Sequence, residues 1–406
     1  MIKENKYYSY NLNSLPRGCR YCVKGEKLVL FVTGICPRKC YFCPVSDEKW
    51  GKDITFANER RVFCSDDVVK EAKLMNAKGA GITGGDPLSK LDRTVRSIMK
   101  LKKEFGKEFH IHLYTSLRLV NDDALQKLFM AGLDEIRFHL DLESNQFWNR
   151  LEIARKFPWD MGVEIPLIPG KEKETKAIVD YIQGKVDFLN FNELEVADNS
   201  CSKLLDMGFK VKDQMSYAIL GSMDIGLDLL DYVSNKYPDF NLHLCTAKLK
   251  DAVQLANRIK NEAKGAKKDF DIVDEEGLLV RGALYFSELK PGFNYREMLK
   301  EDNSVVVSKL KELFASVQKK LKLEDNEPIP KPKHKYPFNP SGGTFSIQVK
   351  GDDLKYWDDF WTLTPPKAGA EIGTTSKGSG DGEISLYWLY QHSDSGVNAE
   401  GTQGAD

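Results

Sequence analysis

The feature that most constrains this chain is the regular alternation of short apolar runs with longer amphipathic ones between Lys27 and about Leu194. Lys27–Thr33 reads as a buried strand, and Ala80–Thr83, Phe109–Tyr114, Asp134–Leu140, Gly162–Ile168 and Val186–Phe191 as its successors. Between them Ser65–Lys78, with Ser65 as N-cap, Arg93–Phe105, Asp122–Met130, Gln146–Lys156 and Glu172–Ile182 carry helical spacing. Strands separated by helices pair in parallel, because a return crossover is needed before the next strand can run the same way. The expected fold is therefore α/β: a partial (β/α)6-type parallel barrel with a C-terminal α+β extension. A doubly wound open sheet is the rival. Either one gathers ligands at the C-terminal ends of its strands.

After Leu194 the pattern changes. Tyr217–Leu220 and Asn241–Leu244 read as strands around a helix, Lys248–Ala263 as a helix, and Asp271–Val273 with Leu278–Phe286 as a hairpin across Glu276-Gly277. Val305–Leu321 is amphipathic, and a proline-rich stretch follows. The expected organisation is an N-terminal segment with a C-x2-C over 1–26 and a barrel core over 27–195. An α+β extension over 196–325 is the auxiliary-site or substrate region, followed by a linker over 326–340 and a Gly/Ser-rich tail over 341–406.

Five of the eight cysteines fall between Cys19 and Cys43. With no apolar signal core at the N-terminus and no apolar run long enough to span a membrane, the expected location is the cytoplasm, without a membrane partner. Clustered thiols in a reducing compartment point to metal rather than disulfides. Cys36-Pro-Arg-Lys-Cys40-Tyr-Phe-Cys43 spells C-x3-C-x2-C in the loop after the first strand. Three thiolates serve three irons of a cube and leave the fourth open, whereas structural zinc takes four protein ligands. Lys and Arg number 59 against 60 Asp and Glu, so charge does not support a whole-chain nucleic-acid footprint, though it does not exclude a local one. The basic Lys248–Lys268 stretch lacks aromatic partners for bases and reads as a solvated helix face.

The cysteine spacing, Phe42 before the last cysteine and the Gly84-Gly85-Asp86-Pro87 turn after the second strand resemble the radical S-adenosylmethionine superfamily. That family usually has Glu where Asp86 stands. The stretches GCRYC, KGEKLVLFVTG, CPRKCYFCP, GAGITGGDPL, HIHLYT, LDEIRFH and GVEIPLIPG are similar to an archaeal-type branch related to the pyruvate formate-lyase-activating enzymes. The resemblance implies a [4Fe–4S] cluster on Cys36, Cys40 and Cys43 whose open iron takes the methionyl group of S-adenosylmethionine. It implies reductive cleavage to a 5′-deoxyadenosyl radical, and an electron donor of the ferredoxin or flavodoxin type. Phe42, Gly84, Gly85, Asp86, Thr115, His139 and Glu164 are the expected cofactor contacts, with Thr83 beside them. Cys19 and Cys22, with Cys245 as third ligand and His243 as a fourth, form a candidate auxiliary iron–sulfur or zinc site. Cys64 and Cys201 read as free thiols, and His110 and His112 as packed or hydrogen-bonded.

Three functions follow from these residues. The leading one is a radical enzyme that abstracts hydrogen from a macromolecule or cofactor. The second is an activase of a glycyl-radical enzyme. The third, a non-catalytic iron–sulfur or zinc protein, predicts no affinity for S-adenosylmethionine.

Overall fold

Residues of alternating character along the strands decide which face of the sheet packs under helices. The computed structural model describes residues 4–214, 216–267, 271–274 and 276–285, and the strand residues 345–346, 362–363, 371–372 and 385–391. The chain divides into one unit built on Met1–Gly265 and another built on Ala266–Asp394.

In the first unit the elements run β1 (Tyr10–Leu12), α1 (Arg17–Val23), β2 (Lys27–Phe31), β3 (Phe56–Ala57), β4 (Arg60–Arg61), α2 (Ser65–Leu74) and β5 (Gly79–Thr83). Next come α3 (Leu91–Phe105), β6 (His110–Ser116), α4 (Asp122–Ala131), β7 (Glu135–His139), α5 (Leu151–Ala154) and β8 (Asp160–Leu167). The series closes with α6 (Glu172–Ile182), β9 (Phe188–Glu193), α7 (Ser222–Lys236), β10 (Asn241–Cys245), α8 (Ala247–Leu249) and α9 (Ala256–Ala266). The sheet order is β1-β10-β9-β8-β7-β6-β5-β2-β3-β4. From β2 through β5, β6, β7, β8 and β9 to β10 every pairing is parallel. β1 joins β10, and β3 joins β2, antiparallel. The parallel α/β core is as expected, but Asn241–Cys245 adds a further parallel strand beyond the point where the sequence pattern changes.

One face of these strands carries Leu28, Leu30, Ala80, Ile82, Ile111, Leu113, Ile136, Phe138, Val163, Leu189 and Leu242, all fully buried in one apolar core with helix residues such as Ile98, Leu128, Ile178 and Leu229. The opposite, inner face carries Lys27, His110, His112, Glu135, Arg137, Asn190 and His243, each at most 4% exposed. A mostly polar inner face is costly unless its groups are paired, and most of them are.

Several local readings are corrected. The N-cap of α2 is Cys64, not Ser65, because Asp67 Oδ2 accepts the N–H groups of Phe63 and Cys64 and starts the helix one residue earlier. The Gln146–Lys156 helix breaks into a 3-10 turn at Trp148–Arg150 and the single turn of α5. There Trp148 Nε1 donates to the Asp141 carbonyl and Arg150 Nη1 to those of Leu117 and Arg118, and Pro158 prevents continuation. Tyr217–Leu220 makes only isolated bridges, Glu195 with Ala218 and Val211 with Ile219. Lys248–Ala263 is split by a π-helical stretch at Lys250–Leu255. Nor is it uniformly solvated, since Lys250 pairs with Glu195 and burial lowers its pKa.

In the second unit β11 (Ile272–Val273) pairs antiparallel with β12 (Leu279–Tyr285), so the expected hairpin forms. β12 also pairs with β16 (Ser385–Gln391), which pairs with β15 (Glu371–Ile372), while β13 (Phe345–Ser346) pairs with β14 (Thr362–Leu363). Val305–Leu321 and the linker over 326–340 lie outside the described residues. Among the described residues no helix is long and apolar enough to cross a membrane.

Candidate active site

The cysteine loop leaves β2 at its C-terminal end and is closed at its base by paired backbones. Gly34 N–H donates to Lys52 O (2.8 Å) and Gly51 N–H to Gly34 O (3.0 Å). Gly34 is required here, because a Cβ would stand 1.7 Å from Lys49 O. Asp53 anchors the base by accepting Thr33 Oγ1 (3.1 Å), Arg93 Nη1 (2.6 Å) and the Lys90 ammonium (2.8 Å). The Arg93 bond leads in holding its carboxyl well below the usual range.

Two motifs some forty residues apart are stitched together by backbone. Gly85 N–H donates to Thr33 O (2.6 Å) and Asp86 N–H to Ile35 O (2.9 Å), so the glycine turn lies against the residues leading into Cys36. Gly84 has φ +156°, and a Cβ on Gly85 would meet Ile35 O at 2.5 Å. The glycines thus admit the cysteine loop itself, beside the close ligand approach inferred from sequence.

Cys36, Cys40 and Cys43 are half-buried free thiols. Cys36 Sγ accepts Arg38 N–H at 3.4 Å, and burial pushes its thiol up to about 11. Burial also raises Cys40 and Cys43. Three thiols from one loop, none in a disulfide, fit an iron–sulfur cluster, whose binding releases the thiol protons. Arg38, in the middle of the loop, donates to His139 O (3.2 Å) at the end of β7 and pairs with Asp141 (3.5 Å). From the other side Asn199 Nδ2 donates to Cys43 O (3.1 Å) and Val45 O (2.9 Å), and Lys203 N–H to Tyr41 O (2.6 Å). Cys201, read as standing alone, lies close enough to Cys43 for its charge to bear on that thiol. Cys64 is exposed at the α2 cap.

The remaining expected contacts gather around this mouth. Phe42 lies 5.7 Å from the His139 ring and edge-on to Tyr41 at 5.0 Å. His139 is held neutral, its pKa lowered to about 3 by burial and by Arg38, and its buried Nε2 has no hydrogen-bond partner among the described residues. Thr83 ends β5 beside Phe31. Asp86, expected as a cofactor contact, braces the neighbouring backbone. Its Oδ1 accepts Leu88 N–H and Thr115 Oγ1 (2.7 Å), its Oδ2 accepts Ser116 N–H and Oγ (2.7 Å), and only 1% of the residue is exposed. Thr115 is correspondingly tied to Asp86 rather than free. Glu164 is also engaged: it accepts Arg137 Nη1 (2.8 Å), Asn190 Nδ2 (2.9 Å) and Asn192 Nδ2 (2.9 Å). Burial alone would raise its pKa, but Arg137 and the two amides outweigh it and hold the carboxylate below its ordinary value.

Sequence reading missed Arg38, Arg137, Asn190, Asn192 and Asn199. Arg137 carried a signal: Glu135, Arg137 and His139 alternate with Ile136 and Phe138, which puts three polar groups on one strand face. Asn199 carried none.

Deeper in the barrel Lys27 Nζ stands 2.8 Å from His110 Nδ1, as the packed reading of His110 requires. His112 sits between Gly18 and Gly81, where added Cβ atoms would come within 2.7 Å and 2.6 Å of its ring. His110, Glu135 and Asp160 have ligand atoms within 4.8 Å of one another. Lys27, 2.8 Å from His110 Nδ1, and Arg137, paired with Glu135, already partner two of these three groups. Cys19 and Cys22 lie a turn apart on α1, and Cys245 ends β10.

Residues 30–161 match the family model described as the radical SAM superfamily. The structure of SuiB from Streptococcus suis bound to S-adenosylmethionine compares at a TM-score of 0.37 and 15% identity, covering 54% of this chain and 47% of that chain. Biotin synthase of Pseudoalteromonas translucida is 30% identical over 33% of this chain and 38% of its own length. A candidate glycyl-radical enzyme activating enzyme of Methanocaldococcus jannaschii is 42% identical over 306 residues, 73% of this chain and 80% of that protein. This chain belongs to the radical S-adenosylmethionine superfamily and is an enzyme that works with a [4Fe–4S] cluster and S-adenosylmethionine.

Proposed function

We propose that Cys36, Cys40 and Cys43 hold the cluster, and that the polar inner face of the barrel beneath them receives a macromolecular or cofactor substrate. The observation that carries this is the pair of backbone bonds from Gly85 and Asp86 to Thr33 and Ile35. They bring the cysteine loop and the glycine turn to one mouth, over the inner face. Bound there, the cluster and S-adenosylmethionine supply one-electron cleavage of the sulfonium and a 5′-deoxyadenosyl radical that takes hydrogen from carbon. The chain's own residues position and shield this chemistry. Phe42 offers a face to the adenine, and the partnerless Nε2 of His139 beside it offers a hydrogen-bond site to the adenosyl group. Gly84 and Gly85 leave room for the methionyl group. Asp86 holds Thr115 and Ser116, and so the end of β6, in place. Glu164, fixed from beneath by Arg137 and Asn190, and Asn192 present a carboxylate and an amide to the substrate. A ferredoxin or flavodoxin type protein is the electron donor.

The name of the Methanocaldococcus relative favours a second reading, activation of a glycyl-radical enzyme. The test of the first is anaerobic reconstitution with iron and sulfide, reduction, and assay of 5′-deoxyadenosine from S-adenosylmethionine. The expected result is product from the parent and none from Cys36→Ala/Cys40→Ala/Cys43→Ala. Product from that variant would remove the ligand assignment. A protein-bound glycyl-radical doublet raised in an added partner would favour the activase.

A further inference from the structure

Three thiols outside the loop converge on the inner face of the barrel. Cys19 is 5% exposed and Cys245 9% exposed, and all three, with Cys22, are free. Asn190, whose Nδ2 stands 3.4 Å from Cys19 Sγ, is the β9 partner of His243, two residues before Cys245. Val23, next to Cys22, packs with Cys245 and Leu249 in one small buried cluster. Their position is enforced by Gly18, because a Cβ there would stand 2.5 Å from Arg137 Nη2 and 2.9 Å from Glu135 Oε1. Helix α1 is thereby pressed into the barrel, with its amide at Gly18 donating to Glu135 Oε2 (2.9 Å).

Buried cysteine is commonly an apolar filler. Here the thiols also face hydrogen-bond donors, although burial raises all three above the ordinary thiol range. Cys19 Sγ accepts Arg137 Nη2 at 3.5 Å and Asn190 Nδ2 at 3.4 Å, and Gln254 Nε2 faces Cys245 Sγ at 3.9 Å. Buried atoms around the same space also lack partners among the described residues: His243 Nδ1, Asn190 Oδ1 and His112 Nδ1, on residues at most 2% exposed. Orphaned buried polar atoms mark a place where a ligand or water belongs. His243 precedes Cys245 by two residues on the same strand face. The π-helical stretch at Lys250–Leu255 follows just after Cys245, an irregularity of the kind found at functional sites.

We propose that Cys19, Cys22 and Cys245 ligate a second, thiophilic metal centre inside the barrel, with His243 as the nitrogen donor for the position that three thiolates leave open. Soft thiolates select an iron–sulfur cluster or zinc. The proposal does not depend on the assignment of the loop cysteines.

The test begins with full-length Cys36→Ala/Cys40→Ala/Cys43→Ala, purified without oxygen and incubated with iron and sulfide in one arm and zinc in the other. The expected result is about four irons or about one zinc retained per chain, lost on adding Cys19→Ala/Cys22→Ala/Cys245→Ala. Iron with sulfide identifies a cluster, and zinc alone identifies a mononuclear site. A chain with the parent's circular dichroism that retains neither metal overturns the proposal. Should the loop variant fail to fold, the intact protein is compared with Cys19→Ala/Cys22→Ala/Cys245→Ala. Iron falling from about eight to about four per chain, or loss of bound zinc, supports the second centre, and an unchanged metal content overturns it. Metal that survives loss of the loop cysteines while 5′-deoxyadenosine formation also survives would fault the loop assignment alone.

Discussion

At Gly85 one added methyl group decides whether two loops can touch. The atom it would meet, Ile35 O at 2.5 Å, is backbone and cannot swing aside as a side chain would. Gly85→Ala is expected to cost about 1–3 kcal/mol, read as a lower Tm, and to lower the iron held after desalting. Full iron at an unchanged Tm would show that the loops yield. Asn199 acts on the same loop from outside, through its bonds to Cys43 O and Val45 O. Asn199→Ala is expected to hasten iron loss to a chelator several-fold while far-UV circular dichroism stays unchanged; equal rates would remove it as a clamp. Asp53 gives the loop base an acid limit. Its folded pKa is depressed by Arg93 and Lys90, so its contribution is present above the unfolded value of about 4 and lost as pH falls below that. Thermal unfolding measured from pH 6 to pH 3 is expected to show a falling Tm at the acid end, with a shallower fall in Asp53→Asn. Because Asp53 is partly exposed, the effect is screened by salt.

Among the elements, α1 was the least legible. The sequence marks residues 1–26 only as a segment with a C-x2-C, yet Gly18 and the Arg137, His112 and Glu135 side chains around it show that a seven-residue helix there packs against the inner face of the barrel. Gly18→Ala is expected to destabilise the fold by about 1–3 kcal/mol, with calorimetry as the check; an unaltered Tm would mean that Arg137 and His112 can move. By contrast α6 has the boundaries its periodicity indicates, Glu172–Ile182, because its apolar positions Ile178, Val179 and Ile182 all face one core. Gln146–Lys156 has comparable spacing but yields only a 3-10 turn running into the single turn of α5, placed where the Trp148 and Arg150 side chains bond the carbonyls of Asp141, Leu117 and Arg118. Helical periodicity records which residues want burial, not which distant carbonyls compete for them. Strand β10 was legible as a strand but not as a member of the barrel sheet. Its partner β9 is separated from it by α7 and an irregular stretch, and pairing across such a gap leaves no local pattern.

For the whole molecule, every described element that carries or braces the cysteine loop belongs to the unit built on Met1–Gly265. Deleting residues 341–406 is expected to leave iron content and 5′-deoxyadenosine formation intact, and loss of the cluster in that truncation would show that the tail supports the core. The sequence by itself determined the parallel α/β core and the superfamily, and singled out the cysteine loop. Strand and helix periodicity and the spacing of three thiols are local properties, written in consecutive residues. Only the tertiary structure decided that Asp86 and Glu164 are bonded braces, that Arg38 and Asn199 bond the loop from either side, and that Val23 of α1 packs with Cys245. Those outcomes depend on which donors the curved sheet brings within about 3 Å of an acceptor, and hydrogen bonding across its inner face is set by the register of seven parallel strands rather than by any one of them.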